Sequence, residues 1–251
     1  MLLGLGSQVR PHVTRRFGMP WSRPADRMRE YVLALRAIWA CWNDGAELDF
    51  RGEFFSHTLM TPFFDPGPNG FGPPAVLLAG VGQRMTETAG EVADGFLCGP
   101  LTSVDSLRTH TLPAVARGRA RSGIRDFTVS GMPLVVTGAD AAATARVARA
   151  TRDRLAFYAS TPAYRPVLEV HGWGELHDRL HVLSCAGRWQ DMGDLIDDEV
   201  LHTFAVVAGP DDVASALQDR WAGLADGLTV HCADDPGPGV WSAIAAGTAR
   251  A

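Results

Sequence analysis

Short apolar runs alternating with longer helical stretches constrain this chain more than any other feature. Met1-Leu-Leu-Gly-Leu-Gly6 and Ala75-Val-Leu-Leu-Ala79 are too short for core helices, and each closes on Gly-x-Gly, at Gly4/Gly6 and at Gly80/Gly82. Such runs read as strands buried on both faces. Behind Ser22 and Pro24, the residues Met28, Tyr31, Val32, Leu35, Ile38, Trp39 and Trp42 recur at helical spacing, and Met85, Ala89 and Val92 give a second helix its inner face. Further strands are expected over 96–98, 127–137, 204–207 and 227–232, with helices over 103–121, 139–158 and 210–221. A strand separated from the next by a helix cannot turn back tightly, so it pairs in parallel through a right-handed crossover. The expected class is therefore α/β.

Two stretches interrupt the rhythm. Residues 47–58 alternate loosely around Gly52 and lead into a Pro/Gly-rich segment over 62–74, as a hairpin or extended excursion between two βα units would. Residues 159–202 are helical but irregular, with Trp173 and Trp189 as expected packing anchors, and form an insertion. No linker or short-period repeat divides the chain, so residues 1–251 are expected to be one domain.

Composition narrows the function classes. The 251 residues are 46% hydrophobic and 20% charged, the balance of a packed soluble domain. A net charge of −5, with every cationic side chain an arginine, argues against nucleic acid as a partner. Cys41, Cys98, Cys185 and Cys232 lie far apart and form no CxxC pair, so neither a disulfide framework nor a zinc knuckle is suggested and a reducing cytoplasm fits best. No apolar run approaches a membrane span or a secretion signal, so a small molecule is the expected partner.

The order of motifs carries a resemblance. Leu3-Gly-Leu-Gly-Ser-Gln8, the helix opening Ser22-Arg-Pro-Ala-Asp-Arg-Met28, and Asp49-Phe-Arg-Gly-Glu-Phe-Phe55 are followed by Pro74-Ala-Val-Leu-Leu-Ala-Gly-Val-Gly82 and Ala89-Gly-Glu-Val-Ala-Asp-Gly-Phe96. This series resembles the middle of luciferase-like monooxygenases. Arg10 to Trp21 and Thr161-Pro-Ala-Tyr-Arg-Pro-Val167 are most similar to the branch that uses the deazaflavin coenzyme F420. The resemblance implies a (β/α)8 barrel with its cofactor across the C-terminal strand ends. Residue 1 falls on that family's fourth strand, so the resemblance implies an incomplete barrel, about strands 4 to 8, with a truncated or misassigned start. Two raw parallel edges invite association, and a homodimer is expected.

The resemblance implies that the backbone of Ala79, Gly80, Val81, Gly82 and Gln83 holds the cofactor phosphate or ribityl chain, and that Gly6, Ser7 and Gln8 meet the ring edge. The chemistry suits this, since glycines admit close approach and a helix N-terminus attracts anions. Tight βα turns without a ligand would use the same glycines. Arg10, His12, Arg15 and Arg16 could pair with an acidic cofactor tail or form a solvated basic loop. His177 and His181 are four apart, yet no third metal ligand is evident.

The implied activity is hydride transfer between F420 and a small organic substrate, with no catalytic acid or base assignable. An FMN-dependent monooxygenase of the same fold, or a barrel remnant without catalysis, are the alternatives. A Rossmann dehydrogenase is disfavoured because Gly80-x-Gly82 lacks the third glycine.

Overall fold

A computed structural model describes residues Met1–Thr248. In chain order the first elements are β1 (Leu2–Gly6), α1 (Pro24–Asp44), the short strands β2 (Phe50–Arg51) and β3 (Ser56–His57), β4 (Ala75–Ala79), α2 (Gln83–Val92) and β5 (Gly95–Leu97). The short α3 (Val104–Ser106) and then α4 (Leu112–Ser122) follow. Met1–Leu97 and Pro113–Thr128 form one compact unit; Cys98–Leu112 and the chain from Val129 onward form a second.

In the first unit β4 lies between β1 and β5, and both pairings are parallel. The expected hairpin is present, with β2 and β3 antiparallel. It is tied to α1 by Glu30, whose carboxylate accepts the backbone N–H groups of Glu53, Phe54 and Phe55. Burial pushes the Glu30 pKa up, but those three bonds and the charge of Arg27 outweigh it and leave the carboxyl below its usual value. Two close approaches need glycine: a β-carbon on Gly90 of α2 would sit 2.3 Å from the Val115 carbonyl, and one on Gly118 of α4 would sit 2.0 Å from that of Glu87. Backbone therefore meets backbone where α2 crosses α4.

The Ala93-Asp94-Gly95 motif is structural. Asp94 donates its N–H to the Val76 carbonyl at 2.8 Å, and its Oδ2 accepts the Val76 N–H at 2.7 Å, clamping the start of β5 to β4. Arg36 of α1 closes the arrangement by donating to both Asp94 and the Val92 carbonyl. The motif recurs as Ala225-Asp226-Gly227 in the second unit. There the Asp226 N–H reaches the Val129 carbonyl at 2.8 Å, and Oδ2 takes the Val129 N–H at 2.7 Å. The same device thus starts two different strands.

The second unit contains β6 (Thr128–Gly131), β7 (Leu134–Val136), α5 (Ala141–Ala159), α6 (Arg165–Glu169), α7 (Gly174–Cys185), α8 (Asp198–Phe204), β8 (Ala205–Val207), α9 (Val213–Trp221), β9 (Gly227–Leu228), β10 (His231–Cys232) and α10 (Val240–Thr248). β6 pairs with β9, and β7 with β10 and β8, all in parallel. The single strands expected over 127–137 and 227–232 are each broken in two. Pro133 has no N–H to give a ladder. The register survives the break, since Ser130 faces Gly227 and Leu134 faces His231. The core gathers Leu134, Val147, Leu155, Leu180, Ile196 and Phe204, with Trp173 packed against it. Trp189 does not anchor packing as expected: it is 51% exposed and touches the ring of Phe157. The sequence reading placed no helix at α10.

Candidate functional site

The parallel register of β1 and β4 pairs Gly6 with Ala79, so the two strands end level with each other. Two sequence-distant turns, Gly6-Ser7-Gln8 and Ala79-Gly80-Val81-Gly82-Gln83, therefore leave the sheet side by side at one edge. All eight residues singled out in the sequence lie in the first unit and meet there.

The glycines serve different ends. Gly80 is small because Met85 packs over it, and a β-carbon there would lie 2.3 Å from Met85 Cγ. Gly82 is the N-cap of α2 at φ 83° and ψ 154°, a conformation L-residues rarely adopt, and a β-carbon there would meet nothing within 4 Å. Gly6 has ordinary room, since its β-carbon would lie 3.8 Å from that of Ala79. Of Gly6, Gly80 and Gly82, the last combines a backbone reserved for glycine with open space. The N–H groups of the first turn of α2 have no intrahelical acceptor, and the helix directs positive potential toward them. A ligand with an anionic oxygen fits that cradle.

The side chains at the turns are occupied locally. Ser7 Oγ donates to the Gln8 carbonyl, Gln8 Oε1 accepts the Val9 N–H at 2.9 Å, and Gln83 donates to Glu87 at 2.8 Å. Gln8 adopts a left-handed backbone, φ 59°, uncommon for a residue with a side chain. What the turns offer is backbone. Beyond them Arg10 and, on the π-helical turn His12–Arg16, Arg15 and Arg16 are exposed guanidinium groups, none of which makes an ion pair among the described residues. His12 Nδ1 is buried without a hydrogen-bond partner.

Sequence reasoning missed a polar cluster in the second unit. Ser103, itself buried, caps the short helix that follows and lies 2.8 Å from His171 Nε2. Burial lowers the His171 pKa against the opposing charges of Asp105 and Glu199, and the imidazole stacks on Trp173. Nearby in sequence, Cys98 is pushed up to about 12 by burial, as is Tyr164, whose hydroxyl would lie 3.0 Å from a β-carbon on Gly99. No spacing rule in the sequence joins positions 68 residues apart. An open cavity of about 490 Å3, lined by Leu35, Ile38, Trp39, Trp42 and the residues after β3, was also not anticipated. The rings of His177 and His181 lie nearly parallel with centroids 5.9 Å apart, and each Nδ1 is bonded to a carbonyl. Among the described residues no group of three candidate ligands could hold a metal ion, and no helix is long and apolar enough to cross a membrane.

The family model for luciferase-like monooxygenases matches residues 1–226. An uncharacterised protein of Mycobacterium tuberculosis is 55% identical over 229 residues, which are 90% of this chain and 67% of that protein. An F420-dependent glucose-6-phosphate dehydrogenase of Nocardia farcinica is 34% identical over 97 residues, 39% of this chain and 26% of that enzyme. Among solved structures, the coenzyme F420-dependent tetrahydromethanopterin reductase of Methanopyrus kandleri superposes with a TM-score of 0.69 at 19% identity, covering 97% of this chain and 71% of that one.

Proposed function

Because the chain belongs to the luciferase-like monooxygenase family, we propose that it is an oxidoreductase transferring a hydride between coenzyme F420 and a small organic substrate. The observation that carries this is the register that pairs Gly6 with Ala79 and so sets two glycine-bearing turns at one strand end, one of them opening α2 at Gly82. The F420-dependent relative at 34% identity supports the choice of cofactor. On this reading the N–H groups at Val81, Gly82 and Gln83 hold the cofactor phosphate or ribityl chain, Gly6, Ser7 and Gln8 border the ring, and Arg10, Arg15 and Arg16 attract its acidic tail. The bound deazaflavin supplies the hydride chemistry; these residues bind and orient it. The chain corresponds to about strands 4 to 8 of a barrel, with residues 159–202 inserted, and acts as a cytoplasmic homodimer.

The same cradle would take the phosphate of FMN, and the family's monooxygenase members make that the second reading. Titration of the full chain with F420 and with FMN, followed by the absorbance and fluorescence of each, separates them. Saturable F420 binding that weakens in Gly82→Ala is the expected result. Preference for FMN would replace the proposal with a monooxygenase, and binding of neither would leave a non-catalytic protein of this fold.

A further inference from the structure

On α7 three potential ligands recur every fourth residue, His177, His181 and Cys185. His177 Nδ1 lies 2.7 Å from the Ala159 carbonyl and His181 Nδ1 lies 3.0 Å from that of Ser160, both at the end of α5. A carbonyl can only accept, so each Nδ1 carries the proton and donates, which leaves each Nε2 as an acceptor, that of His181 facing the Cys185 thiol. His177 is buried, and its ring lies nearly parallel to that of His181, so their in-plane Nε2 lone pairs do not converge on one ion. His181 is half-buried, Cys185 is exposed, and Cys185 Sγ lies 3.7 Å from His181 Nε2.

That distance has a geometric meaning. Zinc binds imidazole nitrogen at about 2.0–2.1 Å and thiolate sulfur at about 2.3 Å. A cation at both distances from atoms 3.7 Å apart subtends an angle of about 116°, near the tetrahedral value. The Nδ1 bond to Ser160 is the outer contact that fixes ring orientation and tautomer in zinc sites.

We propose that His181 Nε2 and the Cys185 thiolate chelate one soft divalent cation of the zinc class per chain. Water fills the remaining positions, because no third side chain among the described residues completes the set. Binding releases the thiol proton to solvent and changes no oxidation state. The site is independent of the cofactor cradle.

The probe is Co(II), whose bond to a thiolate gives a charge-transfer absorption. The intact chain should take up one equivalent with that band, Zn(II) should abolish it, Cys185→Ser should lack it, and His181→Gln should bind at least about tenfold more weakly. A band surviving in Cys185→Ser would assign it to another cysteine and overturn the proposal. A readout on the unaltered protein guards against misfolded variants: Zn(II) should protect Cys185 from alkylation, as located by peptide mass spectrometry. Equal alkylation with and without Zn(II) would equally overturn it.

Discussion

Replacing Gly82 with alanine isolates backbone strain from packing. The residue sits at φ 83° and ψ 154°, and an added β-carbon touches nothing within 4 Å. Neither a clash nor a cavity enters, so the cost is conformational, on the order of 1–3 kcal/mol for a position essentially reserved for glycine. Alanine also restricts the unfolded chain, which returns about 0.4–1 kcal/mol. The net destabilisation is then about 0–2.6 kcal/mol, centred on about 1.3 kcal/mol, or up to roughly 10 °C in melting temperature for a chain of this length. Differential scanning calorimetry measures it, with Gly6→Ala as the control at the neighbouring turn. Gly6 has no strained backbone and its β-carbon would make an ordinary 3.8 Å contact, so that variant should stay within about 0.5 kcal/mol of the parent. Because relief of strain must move the N–H groups of the turn, Gly82→Ala should also weaken cofactor binding. A Gly82→Ala variant that melts at or above the parent temperature would refute the strained turn and remove the main support for the cradle.

Gly118→Ala tests the α2–α4 crossing by sign: helix propensity alone predicts a gain of about 1 kcal/mol, whereas the 2.0 Å approach to the Glu87 carbonyl predicts an overpacking loss of about 1–3 kcal/mol, read from urea midpoints. Asp94→Ala should cost about 1.5–3 kcal/mol, since it unclamps β5 and strands the Arg36 guanidinium. Asp226→Ala should behave alike in the second unit, and a neutral result at both would sink the shared role. Glu30 has a lowered folded pKa, so its support of the hairpin is complete above its ordinary value of about 4.3 and is lost as pH falls through the depressed folded value. Amide exchange at Phe54 and Phe55 should accelerate over that acid window, and Glu30→Gln should flatten the dependence.

Much of the architecture was legible because local chemistry and tertiary need agree. Ala75–Ala79 is an apolar run bounded by Pro74 and Gly80, and it forms a strand with those limits. Leu35, Ile38 and Trp39 sit at helical spacing, and a 21-residue helix carries them. Breaks at Met132-Pro133 and Thr229-Val230 were not visible, since the two segments keep one register across them, with Thr229 and His231 donating their N–H groups to the Gly131 and Pro133 carbonyls. Trp189 misled because an indole is apolar wherever it lies, while burial depends on what the rest of the chain brings to it.

The sequence by itself determined which segments become parallel strands and which turns carry glycine, because apolar periodicity and backbone freedom are properties of neighbouring residues. The family to which the chain belongs is written in the same local motifs. Only the tertiary structure decided that Gly80 makes room for Met85 while Gly82 keeps an open turn. It also decided that Asp94 and Asp226 are strand clamps, and that His181 Nε2 faces the Cys185 thiol. Each of these depends on the distance between atoms far apart in the chain or on the rotation of a ring about its helix, and packing alone sets both.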